Sequence, residues 1–319
     1  MIPSKIKHGR AVSRLCFGAA QIGMAYGIAN RTGMPDAASA QDLLAAAYAA
    51  GMTMFDTARI YGESEKRIGQ AIPNMPRATI MTKLSLLEEL SDSDTETTIG
   101  SKVEESVHMS LQCLGLSSLP YLLLHRAQHL HAHGGKIWQR LLGLRRQGVI
   151  GRLGVSVQRP EEIVDALQTP DIECLQLPFN ILDRRYERLG IPAMLLQRPD
   201  MLVVARSALL QGLLTREAAV WPILKPAKAD AIAGALDQWV LQFGRKNRVD
   251  LCLAYVRAQP WIDTVVVGME NRLQLEENME MLQTPSLSAE ACDAIRKKFV
   301  NLDESLLNPA CWPTQRKKP

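Results

Sequence analysis

Long apolar runs are missing from this sequence. No stretch approaches the roughly 18 consecutive apolar residues of a membrane-spanning helix. The opening Met1-Ile2-Pro3-Ser4-Lys5 has no apolar core segment, which predicts no signal peptide and a cytoplasmic location. Charge of one sign is scarce too. Lys and Arg number 37 against 33 Asp and Glu, leaving +4 over 319 residues, which argues against a nucleic-acid binder. The dense basic run Arg316-Lys317-Lys318 reads as a solvated end of a tail over about 300–319. The six cysteines (Cys16, Cys113, Cys174, Cys252, Cys292, Cys311) form no CxxC pair and none lies beside a His at ligand spacing. That argues against structural zinc and against a disulfide framework. Aromatics are few, with 5 Trp, 6 Tyr and 5 Phe, so the core must be mainly aliphatic. Barrel interiors packed with Val, Ile, Leu and Ala fit that composition. Repeats, low-complexity tracts and an interdomain linker are absent, and 47% apolar content is that of a globular chain.

What is present is a regular alternation. Short apolar runs at Arg14–Gly18, Thr53–Asp56, Ala78–Lys83, Tyr121–His125, Arg152–Val155, Cys174–Leu177, Leu202–Ala205 and Thr264–Val267 predict eight strands. Between them, segments of helical period predict helices over Ser39–Ala50, Glu63–Ala71, Lys102–Leu114, Lys136–Gln147, Glu161–Leu167, Pro192–Gln197, Ala229–Phe243 and Leu273–Leu282. Nearly continuous apolar strands are buried on both faces, as in parallel sheets. Eight such units in one chain predict an α/β fold, a single-domain (β/α)8 TIM barrel over residues 1–319. A doubly wound sheet is the competing architecture. It wants a Gly-rich turn joining an early strand to a helix, whereas Gly148–Gly154 leads into a strand. Two segments exceed an ordinary connection, 19–36 and 207–228, and loops of that length in a compact domain usually serve function.

Polar residues end successive apolar strands: Asp56 after Met54-Phe55, Lys83 after Met81-Thr82, and His125 after Leu123-Leu124. In a barrel those ends share one mouth, the face that carries chemistry. Tyr61 falls in the loop just above it. Each residue alone has a structural explanation; together they form a proton-transfer set. A phenol has an unperturbed pKa near 10, and a neighbouring Lys⁺ favours its ionised form. An Asp keeps that Lys charged and oriented, and a His can hydrogen-bond a carbonyl oxygen. Such a set protonates a carbonyl oxygen while hydride comes from elsewhere. No side chain gives hydride, so a nicotinamide cofactor is implied.

These residues, in the motif Asp56-Thr57-Ala58-x-x-Tyr61-Gly62 with Lys83 and His125 at matching strand ends, resemble the aldo-keto reductase superfamily. The resemblance continues through Gly154-Val155-Ser156, Gln176–Asn180, Ala205–Leu214 and Gln274–Asn278. It implies an NAD(P)-dependent carbonyl reductase or alcohol dehydrogenase with Tyr61 as general acid, Lys83 and Asp56 tuning it, and His125 orienting the carbonyl. Ser156 and Gln176 would bond the nicotinamide carboxamide. Ser207, Leu209 and Gly212 would cover the pyrophosphate. Gly268, Glu270, Arg272, Gln274, Glu277 and Asn278 would hold the adenosine. The resemblance implies NADP(H) ahead of NAD(H), bound without a dinucleotide-fold domain. Three positions depart from the family pattern. Val157 follows Ser156 where Asn is common. Arg206 stands where an aromatic usually stacks on the nicotinamide. Glu270 and Arg272 present opposite signs where the 2′-phosphate would sit.

The substrate is expected to be a small aldehyde or ketone, with no nucleic-acid or membrane partner. Tyr26, Arg31 and Arg59 are candidate substrate residues. Arg31 and Arg59, with Arg184, Arg185 and Arg206, gather near the expected mouth, where they would suit a sugar-like or anionic carbonyl, unless they pair with local acids such as Asp183 and Glu63 or with cofactor phosphates. A non-catalytic, nicotinamide-sensing regulatory barrel is the alternative. A metal-assisted hydrolase would need more His and Asp at strand ends than Asp56 and His125 provide. The alternating His129, His131 and His133 run into Gly134-Gly135 and read as a loop, and no metal is expected.

Overall fold

Among the described residues, ten strands form, and eight of them close on themselves. The computed structural model describes residues 2–28, 30, 33–221, 226–300 and 302–312. The strands are β1 (Ser4–Lys7), β2 (Arg10–Ser13), β3 (Leu15–Gly18), β4 (Met54–Asp56) and β5 (Thr79–Lys83). Then come β6 (Leu119–Leu124), β7 (Ile150–Ser156), β8 (Cys174–Pro178), β9 (Leu202–Arg206) and β10 (Thr264–Gly268). The closed barrel runs β10-β3-β4-β5-β6-β7-β8-β9, all parallel. Each of the eight sequence-expected strands is present, displaced by no more than a few residues at its ends. The fold is the (β/α)8 barrel.

Helices wrap the outside, and their ends follow from local chemistry. Glu96–Leu114 starts where the Thr95 hydroxyl accepts from the Thr98 N–H and stops at Gly115, whose φ is 65°. The expected start at Lys102 was late because that cap lies outside the apolar stripe. Asn271 caps Arg272–Met281 in the same way. The helices Arg248–Arg257 and Ala289–Arg296 were not foreseen.

Two cores result. The larger packs helices on the outer barrel wall, through residues such as Leu43, Leu44, Val103, Val107 and Leu141. The smaller fills the barrel: Val12, Cys16, Met54, Met81, Tyr121, Leu123, Cys174, Leu202 and Val204. Its filling is richer in sulfur than a Val/Ile/Leu/Ala interior. Thioethers and thiols fill irregular gaps that branched side chains cannot.

The strands β1 and β2 form a hairpin unseen in the sequence pattern. His8 (φ 50°) and Gly9 (φ 75°) make its two-residue turn, the geometry that matches strand twist. The hairpin crosses the N-terminal end of the barrel. Lys5 and Lys7 pair with Asp263, His8 Nδ1 meets the Tyr121 hydroxyl at 2.8 Å, and Val12 is buried in the barrel interior. Among the described residues, no helix is long and apolar enough to cross a membrane. The basic run at 316–318 lies outside the described residues. The described part of the expected tail includes the helix Glu304–Leu307, which buries Leu306 and Leu307.

Candidate active site

A cleft of about 810 Å³ opens at the C-terminal ends of the barrel strands. Its floor is a charge network. Lys83, at the end of β5, is 1% exposed. Its Nζ donates to Asp56 Oδ1 at 2.6 Å and to the Thr57 carbonyl at 2.9 Å. Gln176 Nε2, from β8, donates to the same Asp56 oxygen at 2.8 Å. Burial works against a charged Lys83, but the facing Asp56 carboxylate and Tyr61 phenol outweigh it and raise its pKa. The site therefore holds a fixed cation, 5.1 Å from the centre of the Tyr61 ring.

Tyr61 reaches this point because its loop is tied down on both sides. The Thr57 hydroxyl bonds the Ser64 hydroxyl at 2.7 Å, and Arg59 pairs with buried Glu65, which also accepts from Thr82 Oγ1 at 2.6 Å. The loop turns at Gly62 (φ 54°), where a Cβ would overlap the Gly23 carbonyl. On the other side of the phenol lies His125, edge-on, with ring centres 5.9 Å apart. Burial first, then Lys83, Arg206 and Arg126, push the His125 pKa down to about 3. The imidazole is therefore neutral at ordinary pH. Its Nδ1 is buried without a hydrogen-bond partner among the described residues.

Most of the expected cofactor residues line the same cleft: Ser156, Gln176, Arg206, Ser207, Leu209, Gly212, Gly268, Glu270, Gln274, Glu277 and Asn278. Ser156 Oγ donates to Gln176 Oε1 at 3.4 Å. The backbone after β9 is left-handed at Ser207, Leu210, Gln211 and Gly212. Three of those four residues are not glycine, and such conformations cluster at ligand clamps. Arg206 lines the cleft, and its guanidinium donates to the Val157 carbonyl at 2.9 Å and to Gln158 Oε1 at 2.8 Å. Arg272 does not line the cleft; it lies in an adjoining hollow, paired with Asp42.

Of the three candidate substrate residues, Tyr26 is in the cleft. Its hydroxyl accepts from Gln211 Nε2 at 3.3 Å, and burial, then the nearby Tyr61, raise its pKa. Arg31 lies outside the described residues. Arg59 is not at the mouth, since Glu65 draws its guanidinium down beside the helix Ser64–Ala71. Arg184 and Arg185 are also buried elsewhere. Arg184 donates to the Ile181 and Ile295 carbonyls, and Arg185 forks onto Asp183. Of the arginines expected at the mouth, Arg59, Arg184 and Arg185 are internal clamps, and Arg206 lines the cleft. Gln21 and Gln158 line the cleft and were missed, although each lies within three residues of a strand end.

The sequence model of the aldo/keto reductase family matches residues 14–299. An uncharacterised oxidoreductase of Bacillus subtilis (strain 168), YqkF, is 27% identical over 268 residues, covering 77% of this chain and 83% of the relative. The NADH-specific methylglyoxal reductase of Escherichia coli (strain K12) is 25% identical over 279 residues, covering 78% and 84%. Among solved structures, the holo form of the aldo-keto reductase AKR11C1 from Bacillus halodurans superposes with a TM-score of 0.74 at 22% identity, covering 100% of both chains. The glycerol dehydrogenase AKR11B4 from Gluconobacter oxydans gives 0.72 at 22% identity, covering 95% and 97%.

Proposed function

The chain belongs to the aldo/keto reductase family, and on that premise we propose that it reduces a small aldehyde or ketone to the alcohol, with Tyr61 as proton donor. The observation that carries this reading is the cation held on the phenol: Lys83 is clamped by Asp56 and faces the Tyr61 ring. The carbonyl oxygen is bound between the Tyr61 hydroxyl and neutral His125, both acting as hydrogen-bond donors. The Tyr61 proton passes to that oxygen, and the Lys83 charge stabilises the phenolate left behind.

The cleft suits a nicotinamide dinucleotide. At about 810 Å³ it is roomy, it offers a hydroxyl and an amide at Ser156 and Gln176, and its lining includes the left-handed turns after β9, a conformation that clusters at ligand clamps. When bound, the cofactor supplies hydride to the carbonyl carbon. Ser156 and Gln176 would hold its carboxamide, and Gln176 would tie that contact to Asp56. The relative named as a methylglyoxal reductase supports a small carbonyl.

The test is oxidation of reduced nicotinamide cofactor against a panel of small aldehydes, ketones and dicarbonyls, with Tyr61→Phe alongside. The wild type is expected to turn over, and the variant to lose about 10²–10⁴-fold in kcat while still binding cofactor. Full activity in Tyr61→Phe removes the assignment. Tight cofactor binding with no turnover by wild type on any carbonyl supports the sensing alternative instead.

A further inference from the structure

Among the described residues, two arginines line the cleft, Arg126 and Arg206. Arg126 is paired with Glu88 at 2.6 Å. Arg206, at the end of β9, is placed differently. Its partners among the described residues are all uncharged: the Val157 carbonyl and Gln158 Oε1, both on Nη2, and the Ser207 hydroxyl, 3.4 Å from Nη1. Two carboxylates that line the cleft are committed elsewhere. Asp56 is held by Lys83, and Glu162 accepts from the Gln158 and Arg159 N–H groups.

The guanidinium is held in one orientation, because both hydrogens of Nη2 are taken. Gln158 is fixed in turn. Its Nε2 donates to Asn308 Oδ1 at 3.0 Å, and the same Asn308 oxygen accepts from the Ala310 N–H at 3.2 Å. Ala310 lines the cleft, so the turn Pro309–Cys311 is tied through Gln158 to Arg206. What stays unused on the guanidinium is Nε–H and most of Nη1. Its charge is felt at the reacting end. After burial and Lys83, Arg206 is the next group that lowers the His125 pKa, and it opposes the rise at Lys83. A preorganised guanidinium with donors to spare and no counter-ion suits a carboxylate.

Resting on the reading of Tyr61 and His125 as the carbonyl-binding pair, we propose that Arg206 determines specificity and that the substrate is a small oxo acid. Its carbonyl oxygen lies on Tyr61 and His125, and its carboxylate on Arg206. Gln158 is the positioning residue that aims the guanidinium. The carbonyl carbon gains hydride from the reduced nicotinamide, its oxygen gains the Tyr61 proton, and the carboxylate is unchanged. The product is the corresponding hydroxy acid.

The test compares kcat/KM for pyruvate, 4-oxobutanoate and 2-formylbenzoate, each against its methyl ester, on wild type, Arg206→Lys, Arg206→Gln and Gln158→Glu. Cofactor affinity is measured alongside by fluorescence. In wild type at least one acid is expected to exceed its ester by about tenfold or more, mainly through KM. Arg206→Gln is expected to lower that acid/ester ratio by about ten- to a hundredfold, the worth of one charge-assisted contact, and Arg206→Lys to recover part of it. Gln158→Glu keeps the guanidinium but gives it a counter-ion, so the ratio is expected to fall there too, which a merely structural Gln158 would not produce. Wild type that prefers the acid in none of the pairs overturns the inference and leaves the proton-donor reading standing. So does an unchanged ratio in Arg206→Gln. Equal losses for acid and ester that track weaker cofactor binding also overturn it, since they assign Arg206 to the cofactor. Absence of turnover on every carbonyl removes the proton-donor reading itself, and the inference falls with it.

Discussion

Replacing Lys83 by Met tests the charge network most directly. The two side chains have similar length, so little packing is lost. What changes is Asp56: its Oδ1 keeps the Gln176 amide and loses the ammonium. Both partners are almost wholly buried. Breaking a buried pair by removing one member typically destabilises by about 3–5 kcal/mol, because the remaining charge is uncompensated. Unfolding entropy of about 2.1 cal/mol/K per residue, over 319 residues, is about 0.7 kcal/mol/K. The variant is therefore expected to melt about 4–7 °C lower. Adding Asp56→Leu removes the stranded carboxylate and is expected to recover at least half of that loss. The pH dependence has a definite sign. The folded Lys83 pKa is raised, so its contribution is complete below the ordinary lysine value near 10.4 and is lost as pH rises through the folded value. Wild type should lose this increment in alkali, and Lys83→Met should not. Urea titrations and thermal scans on the single and double variants measure all of this. A loss under about 1 kcal/mol for Lys83→Met, or a double variant no more stable than the single, refutes the coupling.

His125 is lowered to about 3 in the fold, so the unfolded chain takes up its proton first, and stability falls as pH drops from about 6.5 toward 3. His125→Asn is expected to be less acid-sensitive by up to about 2 kcal/mol at pH 4.5, discounted for the ring's partial exposure, as urea midpoints at pH 7 and 4.5 would show. Gly62→Ala places a Cβ against the Gly23 carbonyl at a φ of 54°. It is expected to destabilise by about 1–3 kcal/mol and to lower kcat by displacing Tyr61, and a variant with wild-type melting and turnover would show that the loop tolerates the strain.

The eight barrel strands were legible because a strand buried on both faces is a continuous apolar run, and β6, Leu119–Leu124, is buried throughout. Asp56, Lys83 and His125 were legible because each interrupts such a run at its end. The hairpin β1–β2 was not. The strand Ser4–Lys7 is mainly exposed, so it writes no alternation into the sequence. The helix Arg248–Arg257 was missed for the opposite reason: Asp250 through Val256 are all buried, which erases its amphipathic stripe. The pairing of Arg185 with nearby Asp183 was one of two readings the sequence left open, whereas the partners of Arg59 and Arg184 were not legible because charge in a sequence does not reveal its partner. Arg184 finds carbonyls more than a hundred residues away.

The hairpin across the barrel's N-terminal end lies opposite the cleft. It ties the first residues of the chain to Tyr121 at the foot of β6 and to Asp263 just before β10. Anchorage at one end and chemistry at the other divide the labour of the fold. Substitutions that loosen the hairpin are expected to lower the melting temperature while leaving the arrangement of Tyr61, Lys83 and His125 intact.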